Sequence, residues 1–266
     1  MSPEILFWLV LAIKMAAAAA VVLAATIAAE RGGPLIGAMV ATLPISTGPA
    51  YVFLALDHDA AFIGDSAVAS VAINAATGIY GLIYVKLAQR QPLVVCMAAA
   101  FGAWLAMAWL VQSHTWTLPQ AVLLNAIVFP VCIWLVRQER HAPMPRVSLR
   151  WTDVVVRAMG VALLVAAVIT LSFRIGPSAT GVLAVFPITY TSIMVILYHR
   201  VGGPATAAVI AHGMLGLVGF GCAMMTLHLA AVPFGRVAAS LLALAVSVVW
   251  NLALFAASRA RAARPA

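Results

Sequence analysis

One stretch of this chain occurs twice. Arg31, Gly33, Pro34, Pro44 and Ile45 recur as Arg174, Gly176, Pro177, Pro187 and Ile188, at a constant offset of 143 residues. The same offset carries Lys14 onto Arg157 and Gly78 onto Gly221. Coincidences among Ala and Val mean little in so apolar a chain. Rare residues matching in register without a gap point to an internal repeat of roughly 110 residues, and a repeat constrains the fold more than any local propensity does.

The solvent of this repeat follows from composition. Hydrophobic residues make up 65% of the chain and charged residues 8%, against about 25% charged in a soluble domain. So apolar a surface belongs in lipid, where only helices and closed barrels satisfy the backbone. Apolar runs of about 20 residues without strict alternation select helices. The expected fold class is therefore an all-α integral membrane protein.

Nine spans are expected: residues 4–29, 34–56, 62–86, 92–112, 119–135, 153–173, 177–198, 204–228 and 234–258. Pro34, Pro92, Pro119, Pro177 and Pro204 stand at first helical positions, where a missing N–H costs nothing. The polar stretch 137–151 is the only long hydrophilic one. With the N-terminus outside, eleven Lys and Arg face inward (Arg31, Lys86, Arg90, Arg137, Arg140, Arg146, Arg150, Arg200, Arg259, Arg261, Arg264) and two outward (Arg174, Arg236). This positive-inside bias puts the C-terminus in the cytoplasm and fits an odd number of spans. It also explains the net charge of +8 without nucleic acid. The acidic Glu4 and the absence of a cleavage site argue against a signal peptide.

An odd count makes the fifth helix a connector. The expected organisation is a first membrane repeat (1–116), a connector helix with a basic cytoplasmic linker (117–151), a second, inverted repeat (152–258) and a basic tail (259–266). Inverted repeats recur in secondary transporters, where the two halves exchange roles between outward- and inward-facing states. The expectation is a multi-pass protein of a bacterial inner membrane, with a homodimer allowed.

Candidate site residues come from the second and seventh helices. Pro44 lies about 15 Å along its helix, near the midplane of a hydrocarbon core of about 30 Å. Pro187 reaches that depth from the other side. Each proline removes a backbone bond, and hydroxyls cluster at both breaks: Thr42, Ser46 and Thr47 in one copy, Thr189, Tyr190, Thr191 and Ser192 in the other. Such breaks can bind a solute. Hydroxyls that merely satisfy the freed backbone are the competing reading. Asn74 and Thr77 of the third helix are the polar groups expected to face a cavity.

The charges divide similarly. Lys14 with Arg174 at the outer mouth, and Arg157 with Arg31 at the inner, would make two electropositive openings suited to an anion. Snorkelling to the headgroups is the alternative for Lys14 and Arg157. Asp65 and His212 are candidates for proton coupling, with Asp65 also a partner for Lys14 or Arg174. Cys96, Cys132 and Cys222 lack metal-site spacing. The chain has no nucleophile elbow, paired carboxylates or nucleotide loop. Neither an enzyme nor a cofactor or metal is expected. The reading is a transporter of a small anionic solute. Its alternatives are a lipid-handling protein, such as a flippase for a phosphorylated lipid, and an accessory membrane subunit.

Overall fold

In the computed structural model, residues 2–31, 46–141 and 150–262 are described, and all regular structure among them is helical. The helices are α1 (Pro3–Arg31), α2 (Thr47–Asp57), α3 (Ala60–Leu87), α4 (Leu93–Gln112), α5 (Leu118–Leu135), α6 (Trp151–Ala184), α7 (Ile188–Val201) and α8 (Gly203–Ala262), with a 3₁₀ turn at Glu139–His141. Six helical stretches are long and apolar enough to cross a membrane. The chain is thus built as a multi-pass membrane protein.

Two of those stretches are too long for one crossing. The last spans 58 residues, about 87 Å if straight. It is not straight: Gly235 has φ 80 and ψ 158, left-handed backbone that ends one helix and starts another. The reversal is visible in the packing. Trp250 donates from its indole Nε1 to the carbonyl of Leu215 at 2.9 Å, and the Trp250 ring lies against Gly219. A straight helix would hold these residues some 50 Å apart. Likewise α6 breaks at Gly176 (φ 73, ψ 176), just before Pro177. Arg200 near the end of α7 returns to pair with Asp153 in the first turn of α6. The Gly-Pro helix start read from the sequence is thereby realised at 176–177. Its first copy, at Gly33 and Pro34, lies outside the described residues.

The core is centred on α3. Ser66, Ala67, Ala69, Ser70, Ala72, Ala75, Ala76 and Gly78 are all buried, so small side chains occupy every face of this helix. Small residues let helix backbones approach closely, which is how helices associate where lipid is as apolar as the side chains. The most extensive contact of α3 is with α8, whose first half is built from the same residue types. Many large apolar side chains lie outside: Trp109, Leu105, Leu123, Ile127, Val131 and Trp134 of α4 and α5 are exposed. This inside-out distribution fits a lipid solvent.

Candidate functional site

Residues 185–187 interrupt the helix that α6 and α7 would otherwise form. The backbone can be accounted for bond by bond. Val185 and Phe186 turn back to the carbonyls of Val182 and Leu183 in 3₁₀ fashion, and Ile188 N donates to the Phe186 carbonyl at 2.7 Å. The carbonyls of Gly181 and Ala184 are thereby freed from their usual i+4 donors. Hydroxyls from two other helices reach them. Ser70 Oγ of α3 donates to Gly181 O at 2.8 Å, and Thr47 Oγ1 of α2 donates to Ala184 O at 3.1 Å. The carbonyl of Pro187 takes Thr191 Oγ1 at 2.7 Å.

Two tyrosines complete this network. A hydroxyl has one hydrogen. Ser70 gives its own to Gly181, so Tyr51 donates to Ser70 Oγ (2.7 Å). Thr191 gives its own to Pro187, so Tyr80 donates to Thr191 Oγ1 (2.9 Å). Several of the sequence-read hydroxyls therefore do satisfy backbone. Tyr51, Ser70 and Tyr80 were not singled out in the sequence. Ser66, Ser70, Asn74 and Thr77 recur at helical spacing on an apolar helix, a polar stripe that would have pointed to Ser70.

Neither helix start at the break is capped by a side chain among the described residues: Pro187 offers none to α7, and Ser46 offers none to α2. First-turn N–H groups lack intrahelical acceptors and carry the positive end of the helix dipole. The two starts adjoin: Thr189 Oγ1 donates to Ser46 Oγ at 3.1 Å. Among the described residues, the Tyr190 hydroxyl is buried without a partner, against the bare face of Gly213. Pro44, on the first-copy side of this junction, lies outside the described residues.

The other predicted residues scatter. Asn74 donates to Asn125 Oδ1 (3.0 Å) and to the Leu217 carbonyl (2.9 Å), holding α3, α5 and α8 together. Thr77 accepts from Trp104 Nε1 at 3.3 Å and so turns toward α4. Lys14 is bound to Asp57 at 2.6 Å, and not to the expected Asp65. Asp65 and Arg174 are both exposed. Arg157 is half-buried, three residues before Gly160, whose bare face receives the Ile188 side chain. Arg31 ends α1, and its side chain is not among those described. His212 is exposed and bonds the Ala208 carbonyl of its own helix, so the structure does not bring it to the break. A separate cavity of about 410 Å³ lies between α3, α5 and α8, lined by Val71, Asn125, Phe129, Pro130, Gly221 and Trp250 among others.

His58, between α2 and α3, ties three elements. Its Nε2 bonds Ser172 Oγ at 2.8 Å, its ring stacks on Phe62 at 3.8 Å, and its carbonyl accepts from Arg236 at 2.6 Å. Ser172 donates its own hydrogen to Ile169 O, so Nε2–H is the donor to Ser172. Burial lowers the imidazole pKa below its ordinary 6.5, outweighing the carboxylates of Asp57 and Asp59. A depressed histidine pKa means that the unfolded chain binds the proton more readily. Its stabilising contribution is complete above pH 6.5 and is lost as pH falls through the lower, folded value. Thermal unfolding in detergent should therefore shift to lower temperature as pH drops below about 6.5, with the His58 part of that slope absent in His58→Gln.

No family model, no curated protein and no solved structure matches this chain.

Proposed function

We propose that this chain is a secondary transporter. It moves a small anionic solute across a bacterial inner membrane by alternating access, with its binding site where α2 and α7 begin. In this reading the nine spans form two inverted repeats around α5, with the N-terminus outside and the C-terminus in the cytoplasm.

The observation that carries it is the bond between Ser46 and Thr189. These residues are 143 apart, the offset of the sequence repeat. When two halves are related by a two-fold axis, a residue meets its own counterpart only on that axis. Asn74 and Leu217, also bonded, are again 143 apart. Two such contacts support a pseudo-two-fold axis running through the break. The ion pairs fit the same relation. The offset carries Lys14 to Arg157 and Asp57 to Arg200. In each half, an ion pair ties the first helix to the far end of the broken one: Lys14 to Asp57, and Asp153 to Arg200. Arg200 stands at the Asp57 position with its sign reversed, and its partner Asp153 stands one helical turn before Arg157, the counterpart of Lys14.

The solute class is inferred from the two helix starts without side-chain caps and from the Tyr190 hydroxyl. Uncapped N–H groups and the Tyr190 hydroxyl are donors, and donors at a helix start select an anionic group. A thermal-shift screen of purified protein tests this, using small organic and inorganic anions with neutral and cationic controls. A ligand at a hundredfold excess over its Kd stabilises by about 2.7 kcal/mol. One anion class should raise the midpoint, and Thr189→Val should diminish that shift. A shift with cations alone would overturn the anion reading. The cavity beside α5 favours a second reading, lipid handling, because its lining is almost wholly apolar. Stabilisation by lipid with no response to any soluble solute would put that reading first.

A further inference from the structure

The turn that follows α5 carries a cation that nothing among the described residues neutralises. Glu139–His141 form a 3₁₀ turn packed against α8. Lys86 near the end of α3 reaches Glu139 Oε1 at 2.6 Å. Arg140 beside it has no such partner. Its Nε and Nη2 are buried and make no hydrogen bond. Those two nitrogens form one edge of the guanidinium fork, the edge that receives two oxygens of a carboxylate or phosphate side by side. A buried charge without a counter-charge is strongly unfavourable. Burial lowers the Arg140 pKa, with no carboxylate opposing it.

The chain has few anions to offer. Asp57 holds Lys14, Asp153 holds Arg200, and Glu139 holds Lys86. Asp59 caps α3 through the N–H of Phe62. Asp65 stands near the start of α3, about 30 Å of helix away from Lys86. Glu4 is exposed in the first turn of α1, and the Glu30 side chain is not among those described. Residues 140–152 contain no Asp or Glu, so the linker itself cannot neutralise the arginine. Glu139 Oε2 is also buried without a hydrogen bond. Neighbours on a 3₁₀ turn point about 120° apart, so these two side chains do not satisfy each other.

We propose that Arg140, with Lys86 alongside, is a binding site for an oxyanion brought from outside the chain, a phosphate group above all. The site is distinct from the helix break and stands whether or not the chain is a transporter. It lies at the end of a membrane-spanning helix, at the depth of lipid headgroups. The phosphate can therefore belong to a phospholipid or be free in solution. Arg140 as a whole is only half-buried, so a rotation of its side chain brings the fork to either.

The test uses the purified full chain in detergent, with inorganic phosphate, phosphatidylglycerol and diacylglycerol as probes. Thermal shift and native mass spectrometry of retained lipid are the readouts. Phosphate or phosphatidylglycerol should bind, and diacylglycerol should not. Arg140→Gln should weaken binding about tenfold or more. Arg140→Lys should bind more weakly than wild type because it keeps the charge and loses the fork. Arg137→Gln, which removes an exposed cation stacked on Trp134, should bind normally. Response to inorganic phosphate identifies a soluble oxyanion; response to phosphatidylglycerol alone identifies a headgroup. Wild type bound by neither overturns the proposal, as does equal binding by Arg140→Gln. Should Arg140→Gln not fold, equal binding by Arg140→Lys overturns the fork. The Thr189→Val variant reads the other site, so failure of one proposal is distinguishable from failure of the other.

Discussion

Gly181→Ala should lower the thermal unfolding midpoint steeply, far more than Gly102→Ala does. Gly181 lies on α6 one turn before the break, and a Cβ there would overlap the backbone carbonyl oxygen of Ser66 on α3. The neighbour is backbone, so no rotamer change relieves the overlap. Either α6 moves off α3 or α3 bends. Overpacking a well-filled interior costs about 1–3 kcal/mol, occasionally more, and backbone against backbone belongs at the upper end. A second loss follows. Gly181 O accepts from Ser70, and Ser70 accepts from Tyr51. Separating the helices leaves those hydroxyls unsatisfied in a medium without water. Gly102→Ala is the matched control, because a Cβ there meets nothing within 4 Å. It should be neutral or stabilising by up to about 1 kcal/mol from helix propensity alone. Equal midpoints for the two variants would mean that the close approach of α6 to α3 is wrong.

That the chain is helical and crosses a membrane several times was legible in the sequence, because length and apolarity act along one helix at a time. Pro92, Pro119 and Pro204 do stand at helix starts, and the helix does break at Pro187. What was illegible was rotation and register between helices. Lys14 and Asp57 are 43 residues apart, and nothing in either segment announces that α1 and α2 meet there. Asp65 is the one acid that the sequence places inside a span, yet it is exposed. The same limit hid the facing of Thr77. A polar residue in an apolar helix must turn toward some partner, but its own sequence does not say whether that is a cavity or, as here, the indole of Trp104. The hydroxyls at the break were found, and their dual character was a real ambiguity. Thr47 serves a freed carbonyl, and Thr191 adds a second bond to the Pro187 carbonyl that its own N–H already reaches. Ser46 and Thr189 instead join two helix starts, a relation visible only in three dimensions.

Pro187→Ala should abolish transport of whatever anion the screen identifies while leaving the protein folded. Alanine restores an N–H at 187 and removes the ring that excludes the chain from helical geometry. The carbonyl of Leu183 would regain its i+4 donor, and that of Ala184 would be drawn back toward Ile188. Residues 177–201 could then close into one helix of 25 residues, about 37 Å long and sufficient to span a bilayer. Nothing in the helix ladder opposes this, since alanine favours a helix interior over proline by about 3 kcal/mol. Folding should therefore be preserved or improved. Function should not. A continuous helix has no first-turn N–H groups at its middle, so the donors that select an anion disappear. It also carries Thr189 away from Ser46, and with it the contact on the proposed axis. Uptake into proteoliposomes separates the two effects: uptake should fall by at least tenfold with an unfolding midpoint at or above that of wild type. Normal uptake by a stably folded Pro187→Ala would show that solute passes without the break. The hydroxyls around it would then be backbone caps in a kinked helix and no more.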